Sequence, residues 1–201
     1  MYRFPIPAAQ ARAEMMILKS RFICIIDFAD TVEVAQSFIR QMRAEFADAS
    51  HVCHAFCVGF GASITQGCSD DGEPKGTAGR PMLAVLQGSG LGDVVATVVR
   101  YYGGTNLGTG GLVHAYGDVI KAALEILPRG EKVEKRQAII AIPYALYERV
   151  KLLIATHRGK IFSEDFAADI TLELEFVVDD FAPFNLALRE MSAGKIEAIL
   201  A

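Results

Sequence analysis

Two short apolar runs, Glu14–Lys19 and Phe22–Phe28, stand on either side of Ser20-Arg21. Ile23, Cys24, Ile25 and Ile26 are continuous rather than alternating, which predicts strands with a well-buried face. Asp30-Thr31 then offers an N-cap. Val34, Ala35, Phe38, Ile39, Met42 and Phe46 follow at three-to-four spacing, predicting an amphipathic helix over Thr31–Phe46. His51–Phe60 reads as a strand with Val52, His54, Phe56 and Val58 on one face and His51, Cys53, Ala55 and Cys57 on the other. Gly59–Gly79 has no periodicity and reads as one long loop, a length that usually marks function or disorder. Pro81 opens a helix whose buried side is Met82, Leu83, Val85 and Leu86. The run Asp93–Tyr102 is the strongest strand signal, and Gly103-Gly104 ends it. A further helix is expected from about Leu112 to Leu127.

Pro128-Arg129-Gly130 stops that helix and predicts a domain boundary, giving residues 1–128 and 129–201. Beyond it come a strand at Lys132–Ile142, a helix at Tyr144–Thr156, strands at Gly159–Phe166 and Asp169–Val178, a helix at Phe181–Met191 and a strand at Ile196–Leu200. The order β-α-β-β-α-β is the ferredoxin-like pattern. His157 falls in a helix-to-strand turn and is expected to be exposed.

Composition changes this picture little. The 201 residues are 52% apolar and 22% charged, an ordinary globular mixture. The net charge of −4 divides evenly, with 10 basic and 12 acidic residues on each side of the boundary. That argues against a bulk polyanion binder and leaves room for a local basic patch. Nothing in Met1–Gln10 resembles a signal peptide, and no stretch approaches the roughly 18 apolar residues of a membrane span. With Cys24, Cys53, Cys57 and Cys68 read as reduced thiols, the expected location is the cytoplasm, with no membrane partner.

Candidate chemistry lies on two glycine-rich segments. In Ser69–Pro81, the carboxylates Asp70, Asp71 and Glu73 are candidates for acid–base work or for a hard cation. The EF-hand spacing is absent and no fourth ligand is evident, so neither a resident metal nor a cofactor is expected. The same segment offers backbone amides: Gly76, Thr77 and Gly79 stand just before the expected helix start, with Ser69, Lys75 and Arg80 as further donors. Free amides at a helix N-terminus attract phosphate or carboxylate. The second segment, Arg100–Leu112, leaves a strand and enters a helix through Gly103, Gly104, Gly108, Gly110 and Gly111, with Arg100 and His114 placed to meet an anion. Its Gly-x-Gly-Gly is not the dinucleotide fingerprint. Tyr101 and Tyr102 alternate across the strand, so one can be buried and the other offered as a stacking face. A third group is His51, Cys53, His54, Cys57 and Cys68. Zinc or a Cys–His nucleophile pair is conceivable there, against the plainer reading of buried small thiols.

These segments, in this order, resemble the YigZ/IMPACT family. The resemblance is carried by Lys19-Ser20-Arg21-Phe22, by His51-x-Cys53-x-Ala55, by Ser69-Asp-Asp-Gly-Glu-Pro-x-Gly-Thr-Ala-Gly-x-Pro-Met82, and by Val98-Val-Arg-Tyr-Tyr-Gly-Gly-x-x-Leu-Gly-x-Gly-Gly-Leu112 running on to Ala115-Tyr116-Gly117. It implies an α+β chain of two domains. The first is similar to the second domain of ribosomal protein S5, and the second to a ferredoxin-like domain of elongation factor G. Eukaryotic relatives act in translational control, through the pathway in which a kinase senses uncharged tRNA. The resemblance therefore implies a non-enzymatic translation-associated regulator, with the ribosome, rRNA, tRNA or a translation-control protein as partner. An enzyme using Asp70, Asp71 or Glu73 on a phosphorylated or carboxylate ligand, or a protein-interaction module, are the alternatives. The family usually carries Lys or Arg where this chain has His114, so phosphate binding there would be weaker or pH-dependent.

Overall fold

In the computed structural model, which describes residues 3–200, the apolar run at Ile23–Ile26 lies inside a five-stranded antiparallel sheet. The first unit, Phe4–Lys132, runs β1 (Arg3–Pro7), β2 (Ala11–Ile17), β3 (Ser20–Phe28), α1 (Val32–Glu45), β4 (His51–Val58), β5 (Thr65–Ser69), α2 (Gly79–Gly88), β6 (Val94–Tyr101), α3 (Gly108–Ile126) and β7 (Arg129–Val133). Its sheet order is β2-β3-β6-β4-β5. Helix α1, capped by Thr31 Oγ1 accepting from the Val34 amide, covers one face through Ile23, Ile25, Val52, Phe56, Val95 and Val99. Helices α2 and α3 cover the other through Phe22, Cys24, Cys53, Ala55, Ala96 and Val98. Both faces are buried, so the central strands carry continuous apolar runs rather than alternation. Each buried Ile or Phe contributes about 1.5–3 kcal/mol.

Four boundaries differ from the sequence expectation. The segment Gly59–Gly79 is not wholly irregular: Thr65–Ser69 pairs with β4, from Val58↔Thr65 to His54↔Ser69. Its polar, Gly-containing sequence looks like loop because it is a partly exposed edge strand. Helix α3 begins at Gly108, four residues before Leu112. Leu112, Ala115, Tyr116, Val119 and Ile120 bury its inner side, and that packing overrides the poor helix propensity of Gly110 and Gly111. Helix α2 likewise begins at Gly79, with Pro81 in its first turn, where proline is tolerated. At the expected boundary, Pro128 does end α3, but residues 129–132 stay with the first unit. Strand β7 pairs with β1, the Ala8 amide donates to the Pro128 carbonyl (2.8 Å), and Lys132 pairs with the buried Asp93.

The second unit contains β8 (Lys135–Ile142), α4 (Tyr147–Thr156), β9 (Lys160–Phe166), β10 (Ile170–Val177), α5 (Val178–Met191) and β11 (Ile199–Leu200). The antiparallel order β11-β8-β10-β9 is the ferredoxin-like arrangement. Ile140, Ile142, Leu172, Leu174 and Phe176 face Val150, Ile154, Phe184 and Leu188 of the two helices. His157 is half-buried rather than exposed, its ring 6.2 Å from that of Phe184 at a steep angle. Among the described residues, no helix is long and apolar enough to cross a membrane.

Candidate functional site

The amide cluster expected to receive an anion at α2 is already filled, by Asp70. Its Oδ2 accepts from the Gly76 amide (2.7 Å), and its Oδ1 accepts from Ala78 (3.0 Å) and Gly79 (2.8 Å). A carboxylate of the chain itself thus stands where an external phosphate was anticipated. Desolvation raises the Asp70 carboxyl, but the amides of Gly76, Gly79 and Ala78, with Arg80 nearby, outweigh it and hold the group below the usual carboxylate range. Gly79 is required by close approach: a Cβ there would lie 2.9 Å from the Ser69 backbone.

Asp71 is engaged as well. It adopts positive φ (44°), its Oδ1 accepts from Arg43 (2.7 Å), and its Oδ2 accepts from the Val52 amide (2.8 Å). Its own amide donates to Ser69 Oγ (3.2 Å). Thr77 is buried, and its hydroxyl donates to the Pro74 carbonyl (2.6 Å). Lys75 and Arg80 remain exposed.

Glu73 turns inward. Its Oε1 accepts from Arg100 Nη1 (2.6 Å) and from the Tyr116 hydroxyl (2.8 Å), and all three residues are buried. Arg100 also reaches Ser20 Oγ (3.4 Å) and lies 5.4 Å from the ring centres of both Phe22 and Tyr102. His51 Nδ1 donates to the Asp71 carbonyl (2.9 Å), leaving Nε2 3.9 Å from Glu73 Oε1. Arg100 is therefore not an open anion receptor: it is half of a buried ion pair that fastens the Ser69–Gly79 segment to β6 and α3. The sequence reading missed Ser20 and Tyr116 as members of this network. The signal available was their place in the motifs Lys19-Ser20-Arg21-Phe22 and Ala115-Tyr116-Gly117.

Each of Asp70, Asp71 and Glu73 thus accepts hydrogen bonds from within the chain. Three of the four cysteines, Cys24, Cys53 and Cys57, are buried thiols. Burial pushes the Cys53 thiol up to about 12, and it donates to the Asp70 carbonyl (3.0 Å). Burial likewise pushes Cys57 up to about 11. Among the described residues, no three His, Cys, Asp or Glu side chains converge on a position for a metal ion. His54 is buried on the opposite strand face from Cys53, and Cys68 is exposed on β5.

The second glycine segment is different. Gly103 presses against the preceding hairpin, where a Cβ would lie 1.9 Å from the Lys19 carbonyl oxygen, and its amide donates to Ser20 Oγ (3.2 Å). Beyond it the backbone opens. Gly104 and Gly108 have positive φ (81° and 71°), and a Cβ at Gly104, Gly108 or Gly110 would meet nothing within 4 Å. Among the described residues, no side chain caps helix α3. Gly108, Thr109 and Gly110 are exposed, Gly111 is half-buried, and exposed His114 stands one turn past Gly110 on the same helix face. Tyr101 is half-buried and Tyr102 exposed, as alternation predicts, and the Tyr102 hydroxyl donates to Asn106 Oδ1 (3.0 Å).

Fold and site together describe a two-domain α+β protein whose first domain carries two glycine-rich helix entrances. The Impact N-terminal domain profile matches residues 18–124, and that of a domain of unknown function (DUF1949) matches residues 140–195. The chain is 41% identical over 195 residues to the IMPACT family member YigZ of Escherichia coli (strain K12), covering 96% of each protein. It is 46% identical over 182 residues to the IMPACT family member YvyE of Bacillus subtilis (strain 168), covering 90% of this chain and 83% of that one. A crystal structure described as that of a hypothetical protein is similar at a TM-score of 0.72 and 40% identity, covering 100% of this chain and 98% of the other. The chain belongs to the IMPACT family.

Proposed function

We propose that this chain is a non-enzymatic, translation-associated regulator that works in the cytoplasm and binds an anionic partner through the first turn of α3. RNA phosphate, in tRNA or on the ribosome, is the partner this chemistry fits best. The observation that carries the reading is the contrast between the two helix entrances. At α2 the amides of Ala78 and Gly79 donate to Asp70, whereas among the described residues no side chain accepts from the first amides of α3, which lie beside the open glycines Gly104, Gly108 and Gly110. An uncapped helix start attracts anions through its free N–H groups and the positive end of its dipole. His114, exposed one turn into α3, and Lys75 and Arg80, exposed near α2, can add contacts. The resemblance to eukaryotic regulators supplies the translational setting. The engagement of Asp70, Asp71 and Glu73 within the chain supports a binding role over a catalytic one.

Each such contact is worth about 0.3–1 kcal/mol, so binding rests on several phosphates and weakens with salt. Filter binding to tRNA, rRNA fragments and single-stranded DNA tests this. Retention at low salt that falls steeply at moderate salt is expected. No retention at low salt, together with no co-sedimentation with ribosomes, overturns it.

A further inference from the structure

The second unit leaves one face of its sheet uncovered. Helices α4 and α5 take the side bearing Ile140, Ile142, Leu172 and Leu174, so Gln137, Ile139, Glu173 and Glu175 face the other way. Ile199 lies opposite Ile139 in the register and shares that open side. Strand β9 adds an aromatic there by an irregularity. Its register slips against β10 between Glu173, which pairs with Ser163, and Leu174, which pairs with Ile161. The extra residue lets Ile161 pack against the core while Phe162 lines a surface hollow with Gln137, Ile139 and Glu173. Phe162 is 49% exposed, Ile139 42% and Ile199 71%.

The charges on this face are unevenly satisfied. Glu175 is taken by Lys135 (2.9 Å). Glu173 has no hydrogen-bond or ion-pair partner among the described residues, and neither has Lys160, whose Nζ lies 5.4 Å from the Phe162 ring centre. One unpaired anion and one unpaired cation thus stand beside the same exposed aromatic ring.

We propose that this open face is where two copies of the chain meet. A two-fold axis between facing sheets, running midway between Lys160 and Glu173, sets each Lys160 against the partner's Glu173 and seats the two Phe162 rings near the axis. Such an interface is isologous, so one patch serves both copies. A central aromatic with charges at its margin is the usual anatomy of a binding hot spot. Nucleic acid fits the face poorly, because phosphate would meet Glu173 at its centre.

Sedimentation equilibrium of the full chain tests the proposal. The wild type is expected to dimerise reversibly. Phe162→Ser, Glu173→Lys and Lys160→Glu should each weaken association by roughly tenfold or more. All three side chains are exposed, and unchanged thermal melts will show that the variants fold. An equimolar mixture of the Glu173→Lys and Lys160→Glu chains restores both opposite-charge contacts and should associate within roughly threefold of the wild type. The proposal is overturned by a wild type that stays monomeric at every concentration. It is equally overturned by a dimer that none of the three substitutions weakens, or by a mixture no tighter than its parents.

Discussion

The entrances of α2 and α3 look alike in sequence, each a glycine-rich run leading into a buried helix, yet they have opposite fates. At α2, Asp70 folds back over Gly76, Ala78 and Gly79, and the segment around it is bolted down by Asp71–Arg43 and Glu73–Arg100. At α3 no side chain among the described residues returns to cap the helix, and Gly104, Gly108 and Gly110 face open space. Glycine-rich helix starts are therefore not equivalent anion sites. What decides is whether the chain supplies its own carboxylate at hydrogen-bonding distance. The acidic residues that first suggest catalysis at Ser69–Pro81 are the groups that close that site.

The largest effect that would break this contrast is expected at Glu73. Glu73→Ala leaves Arg100 buried without its carboxylate, and breaking a buried pair of this kind costs about 3–5 kcal/mol. Urea unfolding of the variant should show that loss. Asp70→Ala should cost about 1–2 kcal/mol as a lost cap. It should also convert the α2 entrance into an open one, so that added phosphate raises the melting temperature of the variant more than that of the wild type. Equal shifts in the two proteins would mean the α2 amides are not freed.

The Asp70 carboxyl is held below its unfolded value near 3.9, so as pH falls the unfolded chain takes up that proton first. Its stabilisation is complete above that unfolded value and is lost as pH drops through the folded one. The gap between wild type and Asp70→Asn should therefore narrow below about pH 4. The smallest effect is expected at Gly110→Asp, which places a carboxylate in the first turn of α3. With nothing within 4 Å of the new Cβ, it should leave stability equal or raise it by about 0.3–1 kcal/mol.

Much of this fold is legible in the sequence because packing and periodicity agree. Alternation at Ile170, Leu172, Leu174 and Phe176 gives β10, and the three-to-four spacing of Ala35, Phe38, Ile39 and Met42 gives α1. Strand β5 is not legible, since Thr65–Ser69 is a polar edge strand held by register to β4 rather than by burial. The candidate site is legible as a place and misleading as a mechanism. Sequence shows that the Gly76–Gly79 amides lie near carboxylates and that Arg100 stands beside glycines, but partner choice depends on long-range geometry. Arg100 and Glu73 are 27 residues apart, and Tyr116 lies 43 from Glu73. A basic residue beside glycines reads as a receptor until the fold places a carboxylate against it.

Binding of tRNA by Gly110→Asp, compared with wild type at low salt, tests the central claim most directly. The account predicts that the variant folds as stably as the wild type and loses most of its tRNA retention, because the α3 entrance is now filled as α2 already is. Undiminished tRNA binding by a folded Gly110→Asp chain would contradict it and place any anion contact elsewhere on the molecule.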